Sequence, residues 1–464
     1  MVFSTPLFLF YYLTLVLLVY YVTPARLRNF ILLLASLFFY YWGEQRYTLI
    51  MVLSIAIDYT HGLMVHRCKL KGNIRGAKLA VASSVIFNLA ILFFFKYWDF
   101  AARSLQATGL GIMPVLNISL PIGISFYTFQ TMSYTIDVYR DDSKVQKNII
   151  HFGAFVTLFP QLIAGPIIKY KDLDHQLAQR NHGIDRFASG VCRFLVGLSK
   201  KLLLANNLGQ LWDVFKRTPA EDLTIMGAWL GILAFAFQIY FDFSGYSDMA
   251  IGLGRMFGFE FMENFNYPYI SKSITEFWRR WHISLSTWFR EYLYIPLGGN
   301  RCSRNRWLLN LLIVWAATGI WHGASWNYLF WGLYFFCVLV LEKLLLGKWL
   351  KNLPSVLQHL YVTVLVLISW TIFALEDPNQ LGCYLLSMSG ASGVTLLNGE
   401  TCYHLRNFLP IFIIAAIGST PLPAKLWNRY SNRMLRILLL IAGLIICTAY
   451  VVASTYNPFL YFRF

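Results

Sequence analysis

The chain has 464 residues, of which 57% are hydrophobic and only 13% are charged. A soluble globular protein carries about a quarter charged residues, so this composition excludes an ordinary soluble domain. Apolar segments long enough to cross a bilayer recur from end to end, and such segments cross as helices because unpaired backbone groups are costly in lipid. The sequence therefore predicts an all-α polytopic membrane protein.

The net charge of +17 comes from 39 Lys and Arg residues against 22 Asp and Glu residues. The basic residues cluster in short loops between apolar runs, as at 66–78 and 301–306. That pattern indicates positive-inside anchoring and attraction to anionic lipid or to an acidic donor, and it argues against nucleic acid as a partner. The seven cysteines show no metal-binding spacing. We expect no metal and free thiols, although Cys383 and Cys402 would pair if their loop faced an oxidising compartment.

The apolar runs predict about ten to twelve transmembrane helices. They lie near residues 7–22, 30–42, 47–65, 79–98, 121–139, 187–211, 225–245, 307–324, 326–346, 357–374, 405–420 and 434–453. The apolar stretch 151–170 is interrupted by Pro160, Gly165 and Pro166. Such a segment is predicted to be re-entrant or kinked rather than to form a clean span.

Residues 276–292 are predicted to form one amphipathic helix at a membrane interface. At about 100° per residue, one face carries Trp278, Trp281, His282, Leu285, Trp288, Phe289 and Tyr292. The other face carries Glu276, Arg279, Arg280, Arg290 and Glu291. His282 lies at the edge of the aromatic face. A hydrogen-bonded interfacial histidine is the simpler interpretation there, with a functional histidine as the alternative.

His322 lies inside an almost uncharged run. Ionisable residues at that depth face a bundle interior or a water-filled cavity, and they are candidates for function. A desolvated, neutral imidazole is suited to take a proton from a hydroxyl group as a general base. The alternative is a buried histidine bonded to a neighbouring helix. Gly319 and Gly323 flank it and leave room for a partner helix or a substrate.

The segment 238–252 ends an apolar run with a group of polar side chains, Asp242, Ser244, Tyr246 and Asp248. Carboxylates at this depth are suited to orient a histidine or to shape a polar cavity. A hydrogen-bond network without chemical function fits the same residues equally well. The sequence contains no nucleotide-binding or protease motif that offers a competing site.

Three runs resemble the membrane-bound O-acyltransferase (MBOAT) family. They are QIYFDFSGYSDMAIGLGRMFGF from 238, NFNYPYISKSITEFWRRWHISLSTWFREYLYIPLGGNR from 264 and GIWHGASWNYLFWGLYF from 319. The likeness is to the bacterial branch of AlgI-like alginate O-acetylases, related to DltB, and it covers nearly the whole chain. It implies a single integral-membrane domain over 1–464 with an acyl-transfer core at 238–331.

The resemblance also implies the roles of individual residues. His322 matches the family's catalytic histidine, and His282 matches the second histidine of this branch. The implied fold is a ring of helices, with re-entrant and interfacial helices, around a central funnel. An acyl thioester, acetyl-CoA or an acylated carrier protein, would enter the funnel, with no cofactor permanently bound. The donor-funnel candidates are Trp278, Arg279, Arg280 and Arg290.

The implied acceptor is an exported polysaccharide such as alginate, reached from the bacterial inner membrane through an extracytoplasmic partner of the SGNH esterase fold. The tail 457–464 resembles a short aromatic tail of this branch, in which Tyr461 would act as an acyl relay. An aromatic anchor at the membrane interface is the alternative for Tyr461.

Two other functions stay open at the level of sequence. One is DltB-like transfer of D-alanine to teichoic acid, which differs in the acyl group and the acceptor. The other belongs to a different class, a polysaccharide or lipid flippase in which His322 would relay protons. Only the acyltransferases form a covalent product.

Overall fold

The structure is a computed structural model that describes residues 2–109, 111–163, 165–430, 432–453 and 456–458. Within these ranges the regular structure is helical and there are no β-strands. The chain forms two compact units, Met1–Phe194 with Ser247–Met262, and Leu195–Tyr246 with Glu263–Phe464. Helices Ile184–Ser199 and Ile225–Met256 contribute residues to both. The predicted all-α class is confirmed.

The first unit is built mainly from the N-terminal helices. They are Leu7–Tyr12, Leu13–Val22, Arg28–Glu44, Thr48–Leu70, Ile74–Leu92, Phe93–Tyr97, Trp98–Ala107, Ile124–Arg140, Ile149–Thr157, Phe159–Leu162 and Tyr170–Ala178. Thr48–Leu70, Ile74–Leu92 and Ile124–Arg140 pack on one another. A buried carboxylate, Asp58, joins two of them by accepting from Ser84 Oγ at 2.6 Å and Asn88 Nδ2 at 2.9 Å.

The interrupted stretch 151–170 is broken as predicted. Helix Ile149–Thr157 ends at Leu158, whose φ of −47° and ψ of 103° leave the helical region, and the four-residue helix Phe159–Leu162 follows. The side chains of Phe152, Phe155 and Phe159 are fully buried. An irregular apolar backbone of this kind persists only where protein or water covers it.

The second unit contains the remaining helices. They are Lys200–Ala205, Asn206–Arg217, Ile274–Arg280, Ile283–Phe289, Arg290–Tyr294, Arg304–His322, Trp326–Leu341, Glu342–Leu346, Gly347–Asn352, Ser355–Ala374, Pro378–Ser389, Gly399–Gly418, Leu422–Tyr430 and Arg433–Ala453. Arg304–His322 packs against Trp326–Leu341, which packs in turn against Ser355–Ala374. The core of the unit lies where these helices meet Ile225–Met256.

Seven continuous helical segments of the described chain are long and apolar enough to cross a membrane. This number is lower than the ten to twelve transmembrane helices expected, partly because two predicted helices can form one continuous segment. The segment Ala25–Leu70 joins the helices Arg28–Glu44 and Thr48–Leu70, which are separated at Gln45 with φ of 36°. Other apolar runs, such as that at 151–170, form short helices. The chain is a multi-pass membrane protein.

Candidate active site

The predicted helix over 276–292 is wrong as a single element, because the backbone turns at His282. Helix Ile274–Arg280 ends before Trp281, and Ile283–Phe289 begins after His282, whose φ of 43° and ψ of 56° are left-handed. The residues of the predicted aromatic face that follow the turn, such as Leu285 and Trp288, are nevertheless buried. A left-handed residue other than glycine is uncommon, and such strain persists where surrounding contacts impose it.

The contacts that impose the turn come from Asn264 and its neighbours. The N–H of Ile283 donates to the carbonyl of Asn264 at 3.0 Å, and the N–H of Asn266 donates to the carbonyl of Arg280 at 2.9 Å. The side-chain oxygen of Asn264 accepts from Ser284 Oγ at 2.9 Å and from the Ser284 N–H at 3.2 Å. These bonds tie the turn to a chain segment distant in sequence.

The same oxygen of Asn264 orients the ring of His282. It lies 3.2 Å from Nδ1 of His282, and Asn264 is itself buried. Because this oxygen already accepts from Ser284, the neutral imidazole carries its hydrogen on Nδ1 and keeps a lone pair on Nε2. Sequence analysis did not identify Asn264, since only the fold brings it to the histidine.

His322 is the last residue of helix Arg304–His322 and is 6% exposed. Its ring lies within about 5 Å of two aromatic rings, with centroid distances of 4.9 Å to Trp331 and 5.3 Å to Phe373. The backbone approach that brings Trp331 here requires a glycine. A Cβ on Gly319 would lie 2.4 Å from the carbonyl oxygen of Tyr328 on the facing helix. Of the two occupants expected beside Gly319, the structure shows a partner helix.

The structure brings the two histidines into one neighbourhood. Both rings lie against Trp321, at centroid distances of 6.1 Å for His282 and 5.1 Å for His322. His282 is 1% exposed and lies outside the seven candidate spans. Burial, with a smaller contribution from the charge of His322, lowers the pKa of His282 well below its usual value. His282 is therefore a neutral imidazole at neutral pH.

The second unit also contains a cavity of about 980 Å³. Its apolar wall includes Trp278, Leu285, Phe289, Leu311, Val314 and Trp315. Trp278 stands against Trp315 and Trp331, with ring centroids 4.9 and 5.5 Å apart. Since Trp331 also contacts His322, one layer of aromatic rings lies between the cavity wall and the histidine.

The cavity carries a cluster of basic side chains that we call the basic mouth. Its members among the described residues are Lys272, Arg279, Arg290, Lys343, Lys348 and Lys351, all exposed. The one carboxylate in the described lining is Glu342, which accepts from the N–H groups of Ile274 and Thr275 at 2.7 and 2.9 Å. Glu342 therefore secures the start of helix Ile274–Arg280, and the basic mouth is electropositive.

Three of the four donor-funnel candidates lie in the described lining of the cavity. Trp278, Arg279 and Arg290 line the cavity, whereas Arg280 forms an ion pair with Glu276 at 2.8 Å and does not belong to the described lining. The four lysines of the basic mouth were not predicted from the sequence. Three of them follow helix Trp326–Leu341, and no local pattern connects that region to residues 272–290.

Both carboxylates of the polar segment 238–252 are in ion pairs. Asp242 pairs with Lys201 at 2.7 Å, and both side chains are nearly inaccessible. Asp248, which belongs to the first unit, pairs with Arg193 at 2.5 Å. Ser244 and Tyr246 are buried on the same helix. The side chain on Nδ1 of His282 is Asn264 rather than one of these acids.

The described end of the tail, Tyr456–Pro458, is bound to the second unit. Lys201 Nζ donates to the carbonyl of Pro458, and Asn206 Nδ2 donates to the carbonyl of Tyr456 at 3.3 Å. The hydroxyl of Tyr456 donates to Asp213 at 2.9 Å. Tyr461, the proposed acyl relay, lies outside the described residues.

These residues together are suited to acid–base chemistry. No group of three or more His, Cys, Asp or Glu residues suited to a metal occurs in the part of the chain that the structure describes. The second unit thus holds two buried imidazoles, and the ring of Trp331 connects one of them to the wall of a cavity with a basic mouth. An imidazole in such a place can move a proton between a hydroxyl group and a leaving group.

The chain is similar to known proteins whose names describe acyl transfer. A sequence model of the membrane-bound O-acyltransferase family, MBOAT, matches residues 36–350. The chain is 45% identical to a "Probable alginate O-acetylase AlgI" of Azotobacter vinelandii, over 81% of this chain and 76% of the relative. It is 34% identical to a "Peptidoglycan O-acetyltransferase" of Helicobacter pylori, over 85% and 81%. It is 27% identical to a "Teichoic acid D-alanyltransferase" of Bacillus subtilis, over 61% and 73%.

Proposed function

Because the chain belongs to the membrane-bound O-acyltransferase family, and is such an enzyme, we propose that it acetylates an exported polysaccharide from a thioester donor. The relatives with the higher identities are named for O-acetylation of alginate or peptidoglycan. The D-alanyltransferase is only 27% identical, which favours acetyl over D-alanyl. Membership of this family argues against the flippase alternative, because an acyltransferase forms a covalent product and a flippase does not. The proposed location is the bacterial inner membrane.

The observation that carries this proposal is the cavity with the basic mouth. A thioester donor of either proposed kind joins a phosphate-bearing end to a flexible arm of methylene and amide groups that ends in the acyl group. Phosphates suit the six cationic side chains, and the arm suits the wall of Trp278, Leu285 and Phe289. The acyl end would then approach Trp331 and His322, whose rings are 4.9 Å apart.

In the proposed reaction His322 acts as the general base. It takes the proton from the acceptor hydroxyl while that oxygen bonds to the thioester carbonyl carbon. The carbon–sulfur bond then breaks, the sulfur leaves with the bonding pair, and His322 returns the proton to it. Burial among aromatic rings keeps water away from the thioester and strengthens each polar contact made there.

His282 is proposed as the second functional histidine, held by Asn264. With its hydrogen on Nδ1, the neutral ring presents the Nε2 lone pair as a hydrogen-bond acceptor. An acceptor at this place would orient the incoming hydroxyl toward His322. The left-handed backbone at His282 supports a functional role, because strain of about 1–3 kcal/mol is often kept at sites that use the geometry.

We further propose that Tyr461 receives the acetyl group first and that an extracytoplasmic enzyme of the esterase fold moves it to the polymer. The contacts of the preceding residues support this role over a plain aromatic anchor. Pro458 is bound to Lys201, which is 2% exposed and paired with Asp242. The chain is therefore attached to a buried ion pair three residues before Tyr461 in the sequence.

The test uses the purified protein in proteoliposomes with isotopically labelled acetyl-CoA or acetylated carrier protein. We expect a labelled ester on the C-terminal peptide, located by mass spectrometry, and no label in His322→Ala. A Tyr461→Phe variant distinguishes the relay from direct transfer. Polymer acetylation that continues at the wild-type rate in Tyr461→Phe excludes the relay. Continued acetylation in a folded His322→Ala variant excludes the proposed base.

A further inference from the structure

Two enclosed indole N–H groups of the second unit have no acceptor among the residues that the structure describes. They are Nε1 of Trp331 and Nε1 of Trp278. Trp331 is 0% exposed, and its ring contacts both Trp278 at 5.5 Å and His322 at 4.9 Å. The two unpartnered donors therefore belong to adjacent rings, one of which touches the imidazole of His322.

Such donors call for an explanation, because nearly all buried polar groups in native proteins are hydrogen-bonded. The indole N–H can only donate, so neither group can be satisfied by another donor. Packing alone does not require a nitrogen, since phenylalanine fills aromatic clusters of this kind, as Phe335 does 5.2 Å from Trp331. An acceptor atom supplied by a ligand would satisfy both groups.

The position of the two rings indicates which atom that is. Trp278 lines the cavity proposed for the donor, and Trp331 contacts His322. The acyl carbonyl of a thioester that entered by this cavity and reached His322 would meet these rings. Its oxygen accepts hydrogen bonds before the reaction, and it becomes an anion when the hydroxyl oxygen adds to the carbonyl carbon.

We propose that the indole N–H groups of Trp331 and Trp278 bind the thioester carbonyl oxygen and stabilise its negative charge during acyl transfer. This inference rests on the proposed function and adds two catalytic residues to it. The hydroxyl oxygen forms its bond to carbon, and the π electron pair moves to the oxygen held by the two donors. The pair returns as the carbon–sulfur bond breaks, and the donors keep their hydrogens throughout.

The cationic side chains of the basic mouth do not replace these donors. The cationic side chains are exposed. His322 is buried, and its ring is in contact with the rings of Trp331 and Phe373. In such a water-excluded place, preorganised neutral donors are effective because they need no reorganisation when charge develops. The two indoles are thus suited to a charge that exists only in the transition state.

The test measures single-turnover acetyl transfer by Trp331→Phe as a function of donor concentration, in the full-length protein in proteoliposomes. Removing one oxyanion donor lowers a maximal rate by about 10²-fold in known cases. We expect a loss of that order with the half-saturating donor concentration unchanged. Trp278→Phe is expected to slow transfer as well and, since Trp278 lines the cavity, to raise that concentration.

A matched control is Trp229→Phe. Nε1 of Trp229 donates to the carbonyl of Met388 at 2.9 Å, so this variant removes an indole N–H that already has a partner. We expect its maximal rate to stay near that of the wild type. If Trp331→Phe does not fold, replacing the indole of Trp331 by benzothiophene removes the N–H and keeps the shape.

A wild-type maximal rate in the benzothiophene variant or in folded Trp331→Phe overturns the inference, and so does an equal loss in Trp229→Phe. Failure of the proposed function has a different signature. In that case the wild-type protein itself forms no labelled acyl product from any of the thioesters.

Discussion

The two histidine segments of the second unit differ in how their geometry is produced. His322 ends the regular helix Arg304–His322, which packs along one neighbouring helix through Gly319. His282 sits in a left-handed turn between two seven-residue helices and is held by Asn264. One histidine is placed by a local, repetitive pattern, and the other by contacts between segments that are separated along the chain.

The surroundings of the two imidazole rings suit them to different roles. His322 is surrounded by the aromatic rings Trp321, Trp331 and Phe373, which suits a group that receives and returns a proton. His282 has its Nδ1 committed to Asn264, which suits a group that orients another. We therefore propose that His322 transfers the proton and that His282 orients the hydroxyl group.

The largest expected effect comes from replacing each histidine separately by glutamine. His322→Gln removes the general base, which contributes about 10²–10⁴-fold to a rate, so the single-turnover rate should fall by that factor. His282→Gln keeps a side chain able to accept a hydrogen bond, and its loss should be smaller. Rates in proteoliposomes at saturating donor measure the difference.

Both variants must be folded for this comparison, which size-exclusion profiles and thermal unfolding establish. Equal losses in the two variants would mean that the histidines act as one unit. A larger loss in His282→Gln would reverse the assignment of the two roles.

A smaller effect is expected at the basic mouth, whose side chains are exposed. The double variant Lys348→Glu with Lys351→Glu reverses two exposed charges of the lining. We expect a roughly tenfold rise in the half-saturating donor concentration, reduced at high salt, since exposed charge contacts are worth about 1 kcal/mol or less each. The maximal rate should change little.

The control is Lys425→Glu, an exposed residue of helix Leu422–Tyr430 that is not among the described lining residues. If Lys425→Glu shifts the half-saturating donor concentration as much as the double variant does, the shift is caused by the net charge of the protein and not by the basic mouth.

The helix that carries His322 is expected to tolerate little change at Gly319. A Cβ there would lie 2.4 Å from the carbonyl oxygen of Tyr328. Gly319→Ala should therefore lower the free energy of unfolding by about 1–3 kcal/mol, as overpacking does. Thermal unfolding in detergent measures it. Gly382→Ala is the control, since a Cβ at that position meets nothing within 4 Å; a loss as large as that of Gly319→Ala would contradict the close crossing.

The smallest effect concerns the pH dependence of stability at His282. Burial lowers its pKa in the folded protein, whereas an unfolded histidine titrates at about 6.5. Below that pH the unfolded chain binds a proton that the folded chain does not, so stability is full above pH about 6.5 and falls as the pH is lowered. Melting temperatures from pH 8 to 5 should show a shallower fall in His282→Gln, and an unchanged slope would contradict it.

Much of the fold was readable from the sequence because its signals are local. Long apolar runs predict the helices, and the interruption at Pro160 and Gly165 predicts the break in 151–170. His322 was identified because a histidine in an apolar run is costly. In each case the physical cause lies within a few residues of the feature.

The remaining features depend on contacts between distant segments. The turn at His282 carries no glycine or proline to announce it, and its cause is Asn264. The ion pair Lys201–Asp242 joins two helices, so the sequence does not show which residue balances the charge of Asp242. Lys343, Lys348 and Lys351 join Arg279 and Arg290 only in the folded cavity.

The most direct test of the central claim is a cryo-EM structure with a thioether analogue of acetyl-CoA, which cannot release its acyl group. We expect phosphates among Lys272, Lys348 and Lys351 of the basic mouth. We also expect the acyl carbonyl beside Trp331, within reach of His322. Density for the analogue elsewhere, or with its acyl end away from His322, would contradict the claim that this cavity delivers the donor to the histidine.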